Sequence, residues 1–166
     1  MKRHAPTLIF LAILAAAGWF VLDSSRALPE QVASHFGSSG VADSFMLRGS
    51  YVTFMLIFVA GLPLVMTGIL TLVFRGATTS LNIPNRDYWL APSRRADSIA
   101  FLTRHSMRFG ACLTVFLSFV HWLVVRANAR QPAELSNSAI YAGALLFVLT
   151  IVVWTVWLLL AFRKPK

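Results

Sequence analysis

Acidic side chains are scarce in this chain: six Asp and Glu stand against fifteen Lys and Arg among 166 residues. The single cysteine, Cys112, excludes an intrachain disulfide and falls inside an apolar run, as a small buried side chain would. Charged residues make up 13% of the sequence and apolar ones 57%, too little charge to solvate the surface of a water-soluble domain. No HExxH, no Walker-type glycine loop and no GxSxG occurs. An enzyme is therefore not expected, and there is no catalytic residue, cofactor or metal to assign. The net charge of +9 raises nucleic acid as a partner. The cations, however, flank apolar runs instead of forming a stripe on a polar surface, which argues against nucleic acid.

What is present is apolar sequence in four runs, at about residues 5–22, 51–74, 107–125 and 140–162. At 1.5 Å per residue, helices of this length can cross a hydrocarbon core of about 30 Å. The expected fold is an all-α integral membrane protein, one domain over 1–166, with four transmembrane helices in two hairpins and the lipid bilayer as its surroundings. The stretch Arg75–Arg108 holds six arginines and two acids and is costly to translocate, so it belongs in the cytoplasm. Lys2, Arg3, Arg163, Lys164 and Lys166 then also lie inside, while Arg26, Arg48, Arg126 and Arg130 lie outside. Both termini are expected in the cytoplasm. The first run can be read as a signal peptide or as a retained span. Its small residues Ala15, Ala16 and Ala17 lie mid-run, where cleavage would leave Trp19 to Leu22 on the mature end, which favours retention.

The outer loop, 23–50, carries more apolar side chains than a flexible linker needs. Val32 to Phe36 alternates apolar and polar residues, Gly37-Ser38-Ser39-Gly40 turns the chain, and Val41, Phe45, Met46 and Leu47 follow. A small extracytoplasmic cap is expected, with a short strand or helical turn on each side of the turn. Glu30, His35, Phe36 and Asp43 are its candidate ligand-binding residues. One histidine with two dispersed carboxylates is a poor zinc set, and His35 can equally hydrogen-bond the turn above a buried Phe36.

In the second span, Pro63 cannot donate to the carbonyl of Val59, so a bend is expected around Gly61 to Pro63, either as a hinge or as a tolerated kink. In the third, Gly110, Thr114, Ser118 and His121 recur at intervals of four, four and three and share one helix face, suited to packing on another helix or to lining a pathway. His121 lies about a turn from the outer end, as a relay or as a hydrogen-bonded interfacial histidine.

The inner loop, 75–106, is basic and partly amphipathic. Turn residues surround Tyr88-Trp89 at headgroup level, and from Ser93 as N-cap a helix is expected to run through Arg104 into the third span. Arg86, Trp89, Arg94 and Arg95 are candidates for contact with anionic lipid or with a cytoplasmic partner.

The residues Leu28-Pro29-Glu30-Gln31-Val32-Ala33-Ser34-His35-Phe36, followed by Gly40, Asp43 and Phe45-Met46, resemble the bacterial membrane module called domain of unknown function 1648. The resemblance covers roughly Ala5 to Phe74. The same module forms the N-terminal part of SdpI-type immunity proteins, which protect cells against a secreted toxic peptide and pass a signal to a cytoplasmic repressor. It implies a bacterial inner-membrane protein, not an enzyme, whose cap senses an extracytoplasmic peptide and whose inner face meets a regulator. The alternative is a small transporter or channel-like subunit using the polar face of the third helix, and a homo-oligomer is a candidate assembly under either reading.

Overall fold

The computed structural model describes residues 5–76 and 81–163. Lys2, Arg3, Lys164 and Lys166, which entered the charge balance above, lie outside the described residues, as do positions 77–80 of the inner loop.

Four helical stretches are long and apolar enough to cross a membrane: Ala5–Ala27, Arg48–Gly76, Arg95–Asn128 and Asn137–Ala161. In the first, α1 (Ala5–Ser24) passes directly into a short 3-10 turn (Ser25–Ala27). The second is not one uniform helix. It consists of α2 (Arg48–Leu56), a π-helical turn (Ile57–Gly61) and α3 (Leu62–Gly76). The irregularity expected around Gly61 to Pro63 is a π-helical turn that begins at Ile57 and ends at Gly61. Leu62 donates its N–H to the carbonyl of Ile57, five residues back, immediately before the residue that has no N–H to give. A short α4 (Arg86–Trp89) sits in the inner loop, α5 (Arg95–Asn128) is 34 residues long, and α6 (Asn137–Ala161) is the last span.

α5 is the axis of the bundle. Its buried residues Gly110, Thr114, Leu117, His121 and Val124 repeat at intervals of four, three, four and three, and those of α1 (Phe10, Leu14, Ala17, Val21) at four, three and four. Both helices thus carry a narrow seam of the coiled-coil kind. Thr7 donates its hydroxyl to Met107 Sδ at 3.2 Å, Phe10 lies against Gly110, and Ser24 meets His121 at 2.8 Å, so the two seams run parallel. α3 packs on α5 with Thr67 and Thr71 beside Ser106. α6 touches only one side of α5, through Phe147 stacked on Phe116 at 4.4 Å and Trp154 on Phe109 at 5.9 Å, and none of its residues is buried. The expected two hairpins are therefore better described as a three-span core of α1, α2–α3 and α5, with α6 laid against its flank.

The cap takes the strand form of the two expected on either side of its turn. Its strands, β1 (Gln31–Phe36) and β2 (Ala42–Leu47), pair antiparallel, from Gln31 opposite Leu47 to Phe36 opposite Ala42. A bulge falls between Ala33 and His35 and leaves Ser34 without an opposite number. Gly40 is required at the turn twice over. Its φ is +87°, and a Cβ there would come within 2.6 Å of the Leu135 carbonyl. Leu28 and Val32 are buried with Val21, Tyr51, Met55 and Val124 in one cluster, so the cap is seated in the helix ends and does not merely rest on a membrane surface.

At the opposite end, α5 starts at Arg95 with Arg94 in the N-cap position and no side-chain cap, so Ser93 does not fill the expected role. The inner loop folds back on the end of α6. Trp89 Nε1 and Asn85 Nδ2 both donate to the carbonyl of Phe162, at 2.7 and 3.0 Å, satisfying an acceptor that the helix itself leaves open.

The closest approach in the core is at Gly110, where a Cβ would run into Thr67 Oγ1 and the Phe10 ring. Gly110→Val should destabilise the protein by about 1–3 kcal/mol, the usual cost of overpacking, read as a lower thermal midpoint in detergent. Gly68→Ala, with open space at its Cβ inside a helix, should not lower the midpoint and should raise it slightly.

Candidate functional site

The polar groups of the bundle gather where the strands meet the helices. His121 is fully buried there between α1, α2 and α5. Ser24 spends its hydroxyl proton on the carbonyl of Phe20 at 2.6 Å, so its oxygen is left to accept from His121 Nε2 at 2.8 Å. The other ring nitrogen, Nδ1, then accepts from the hydroxyl of Tyr51 at 2.9 Å. This accounting gives a neutral imidazole with its proton on Nε2, flanked by the Phe20 edge and the Tyr51 face. The polarity is opposite to that of a serine activated by a base, because here the serine accepts from the ring. What the arrangement does is tie three spans together through one side chain.

Two turns further along α5, Asn128 binds the cap. Its Oδ1 accepts from the N–H of Ala33 at 2.8 Å and its Nδ2 donates to the Ala33 carbonyl at 3.0 Å and to Val124 at 2.9 Å. The amide thus pairs with both backbone groups of one β1 residue, as a neighbouring strand would. The loop between α5 and α6 completes the cap. Ala42 donates to the Ala133 carbonyl at 3.2 Å, Leu135 to Gly40 at 2.8 Å, and Asn137 Nδ2 to Ser38 at 2.9 Å.

The expected ligand residues do not converge. His35 Nδ1 and Asp43 Oδ1 form an exposed cross-strand pair near the turn. Glu30 is at the far end of β1, where its carbonyl accepts from Arg48 N–H, and Phe36 is half-buried against the core. Among the described residues, no three His, Cys, Asp or Glu side chains are placed to hold a metal ion. The small-polar stripe does share one face, as its spacing required. Thr114 and Ser118, however, donate to the Gly110 and Thr114 carbonyls of their own helix, both at 2.8 Å, so their protons are already spent within α5. Pro63 is buried in the second span. In the inner loop, Arg94 stacks over the Tyr88 ring at 4.1 Å, Trp89 caps α6, and Arg86 is exposed. Arg95 is half-buried at the start of α5.

Sequence reasoning missed His105. It is 3% exposed, boxed by Phe101, Trp154 and Trp157, and its Nδ1 accepts from Trp154 Nε1 at 3.0 Å. The signal was there in the aromatic spacing: Phe101, His105 and Phe109 at intervals of four, facing Trp154 and Trp157 three apart. Tyr51 and Asn128 were also passed over, since each stands at the end of an apolar run and looks like ordinary interfacial punctuation.

Asn128→Ala should release β1 at a cost of about 1–3 kcal/mol for two stranded backbone groups, seen as faster amide exchange at Ala33 with the helices still protected. His121→Ala should cost more, about 2–4 kcal/mol, because it leaves a cavity and unpairs Tyr51 and Ser24; it should lower the melting point of the whole bundle.

Residues 8–67 match the family model described as a domain of unknown function (DUF1648). No curated protein matches the chain, and no solved structure does. The matched stretch takes in most of α1, the whole strand pair and the second span as far as Thr67, so it ends within the span that Pro63 interrupts. Over these residues, and with no activity attached to the likeness, the chain is similar to that family.

Proposed function

We propose that this is a non-enzymatic protein of the bacterial inner membrane whose strand pair receives a peptide from outside the cytoplasm, in the manner of an immunity or sensor protein. The observation that carries this reading is the Asn128–Ala33 pairing, which couples the cap to a helix of about 51 Å that ends in the arginine-rich loop. Phe45 and Leu47 add to it. They are 57% and 55% exposed on β2, presenting apolar side chains outward from an otherwise anchored cap. A peptide adding along this strand would find backbone pairing and side-chain contact together. SdpI-type immunity proteins are the functional analogy. The alternative, a transporter or channel-like subunit working through Gly110, Thr114, Ser118 and His121, has less in its favour, since the hydroxyls are bonded within α5 and the imidazole is enclosed.

The reading requires the cap to be outside, and the arginine loop, both termini and any regulator that loop contacts to be inside. The positive-inside bias supports this. Retention of α1 is supported by its packing, because Phe10, Leu14, Ala17 and Val21 are part of the buried interior.

Two measurements test the reading. A periplasm-active reporter fused after residue 40 should be active and one after residue 90 silent, and the reverse pattern would overturn it. Cells expressing the full chain should survive a secreted membrane-active peptide better than cells expressing a 30–47 deletion or Phe45→Asp at equal membrane levels. Protection that survives both changes would remove the cap from the function.

A further inference from the structure

At the end of the bundle opposite the strands, α1, α3 and α5 enclose a cleft of about 370 Å³. It falls within the range of roughly 300–1,000 Å³ usual for small-ligand sites. Arg75 comes from the last turn of α3, Arg104 and Thr103 from α5, and Thr7 and Met107 close the floor. The hydroxyl proton of Thr7 is taken by Met107 Sδ.

Thr103 is the unusual member. Thr53, Thr114, Ser118 and Thr150 each donate their hydroxyl to the carbonyl four residues back, which is how a helix in lipid satisfies such a group. Thr103 does not. Its Oγ1 is buried, with the residue 8% exposed, and has no hydrogen-bond partner. A buried hydroxyl left this way costs free energy unless something else binds it. Neither Arg75 nor Arg104 forms an ion pair among the described residues, although Asp97 lines the same cleft. Two guanidinium groups against one carboxylate leave a net charge of one to be balanced. Ser25, at the other end of α1, is also orphaned, but there Arg26 is paired with Asp23 and Arg48 donates to the Leu28 carbonyl, so both guanidinium groups already have a partner.

We propose that the α1–α3–α5 cleft binds a singly charged phosphodiester, supplied by the headgroup of an anionic phospholipid, with Arg75 and Arg104 as its cationic walls and Thr103 as a hydroxyl donor. Guanidinium forks match phosphate oxygens in pairs, and the unpartnered Thr103 hydroxyl adds a further donor. The residue types fit an acid headgroup better than a zwitterionic one, whose own ammonium would meet uncompensated arginine.

The test uses the full chain in neutral detergent, titrated with phosphatidylglycerol or with phosphatidylcholine, and bound lipid counted by native mass spectrometry. Phosphatidylglycerol should be retained in preference. Arg75→Gln, Arg104→Gln and Thr103→Val should each weaken that retention roughly tenfold. Arg130→Gln, which removes an exposed cation at the opposite end of the bundle, should not weaken it. Thr103→Val should also melt no lower than the wild type, since it deletes an orphaned hydroxyl, and this separates lost binding from lost folding. Equal retention of the two lipids, or retention indifferent to all three cleft variants, would overturn the site. Displacement of phosphatidylglycerol by millimolar inorganic phosphate would overturn the lipid as the source and give the cleft to a soluble phosphate.

Discussion

Water is missing from the middle of a bilayer, so every hydroxyl, imidazole and amide inside the bundle must find its partner in the protein. Most of this architecture follows from how α5 meets that demand. Its seam of small residues brings α1 and α3 close, and close approach lets short polar side chains bond within the helix or across to a neighbour. Where the seam reaches the membrane boundary, longer groups take over: His121 spans three helices and Asn128 reaches the backbone of a strand. The polar content is low in number and high in consequence.

The two ends of α5 are used differently. At the strand end, polar groups are paired almost completely, and the cap is joined to the helices by side chain, backbone and apolar contact at once. At the arginine end, the loop is held by aromatic groups instead, through Trp89 on Phe162 and the box around His105. Cations there outnumber the carboxylates near them. One end thus resembles a soluble protein's interior, and the other a surface still waiting for counter-charge.

How much of this was legible in the residues can be argued element by element. Apolar run length located three of the four long helices to within about five residues, because lipid permits few alternatives to a helix, whereas the third begins at Arg95, twelve residues before its apolar run. The interval of four, four and three placed Gly110, Thr114, Ser118 and His121 on one face, since helix geometry leaves no freedom there. Which face α1 would offer was not legible, because an evenly apolar helix has no polar side to mark it; that it runs parallel to α5 follows from the alternation of spans alone. The strand pair was half visible through its glycine turn. Glu30 was grouped with His35 and Asp43 from closeness in sequence; the last two do pair across the strands, whereas Glu30 stands apart because a strand holds residues five apart at its opposite ends. Thr103 had no signal at all: a threonine in a helix reads the same whether or not its hydroxyl is bonded.

The parallel contact of α1 with α5 also bears on how the molecule is made. Thr7 and Met107 touch across 100 residues of chain, so at ordinary rates of synthesis α1 enters the membrane about 5–20 seconds before the helix it fits exists. During that interval its inner face must be covered by lipid or by the insertion machinery. The second span can pair with it early, but the strand pair cannot lock until Asn128 has emerged, which makes the cap the last part of the N-terminal half to become rigid.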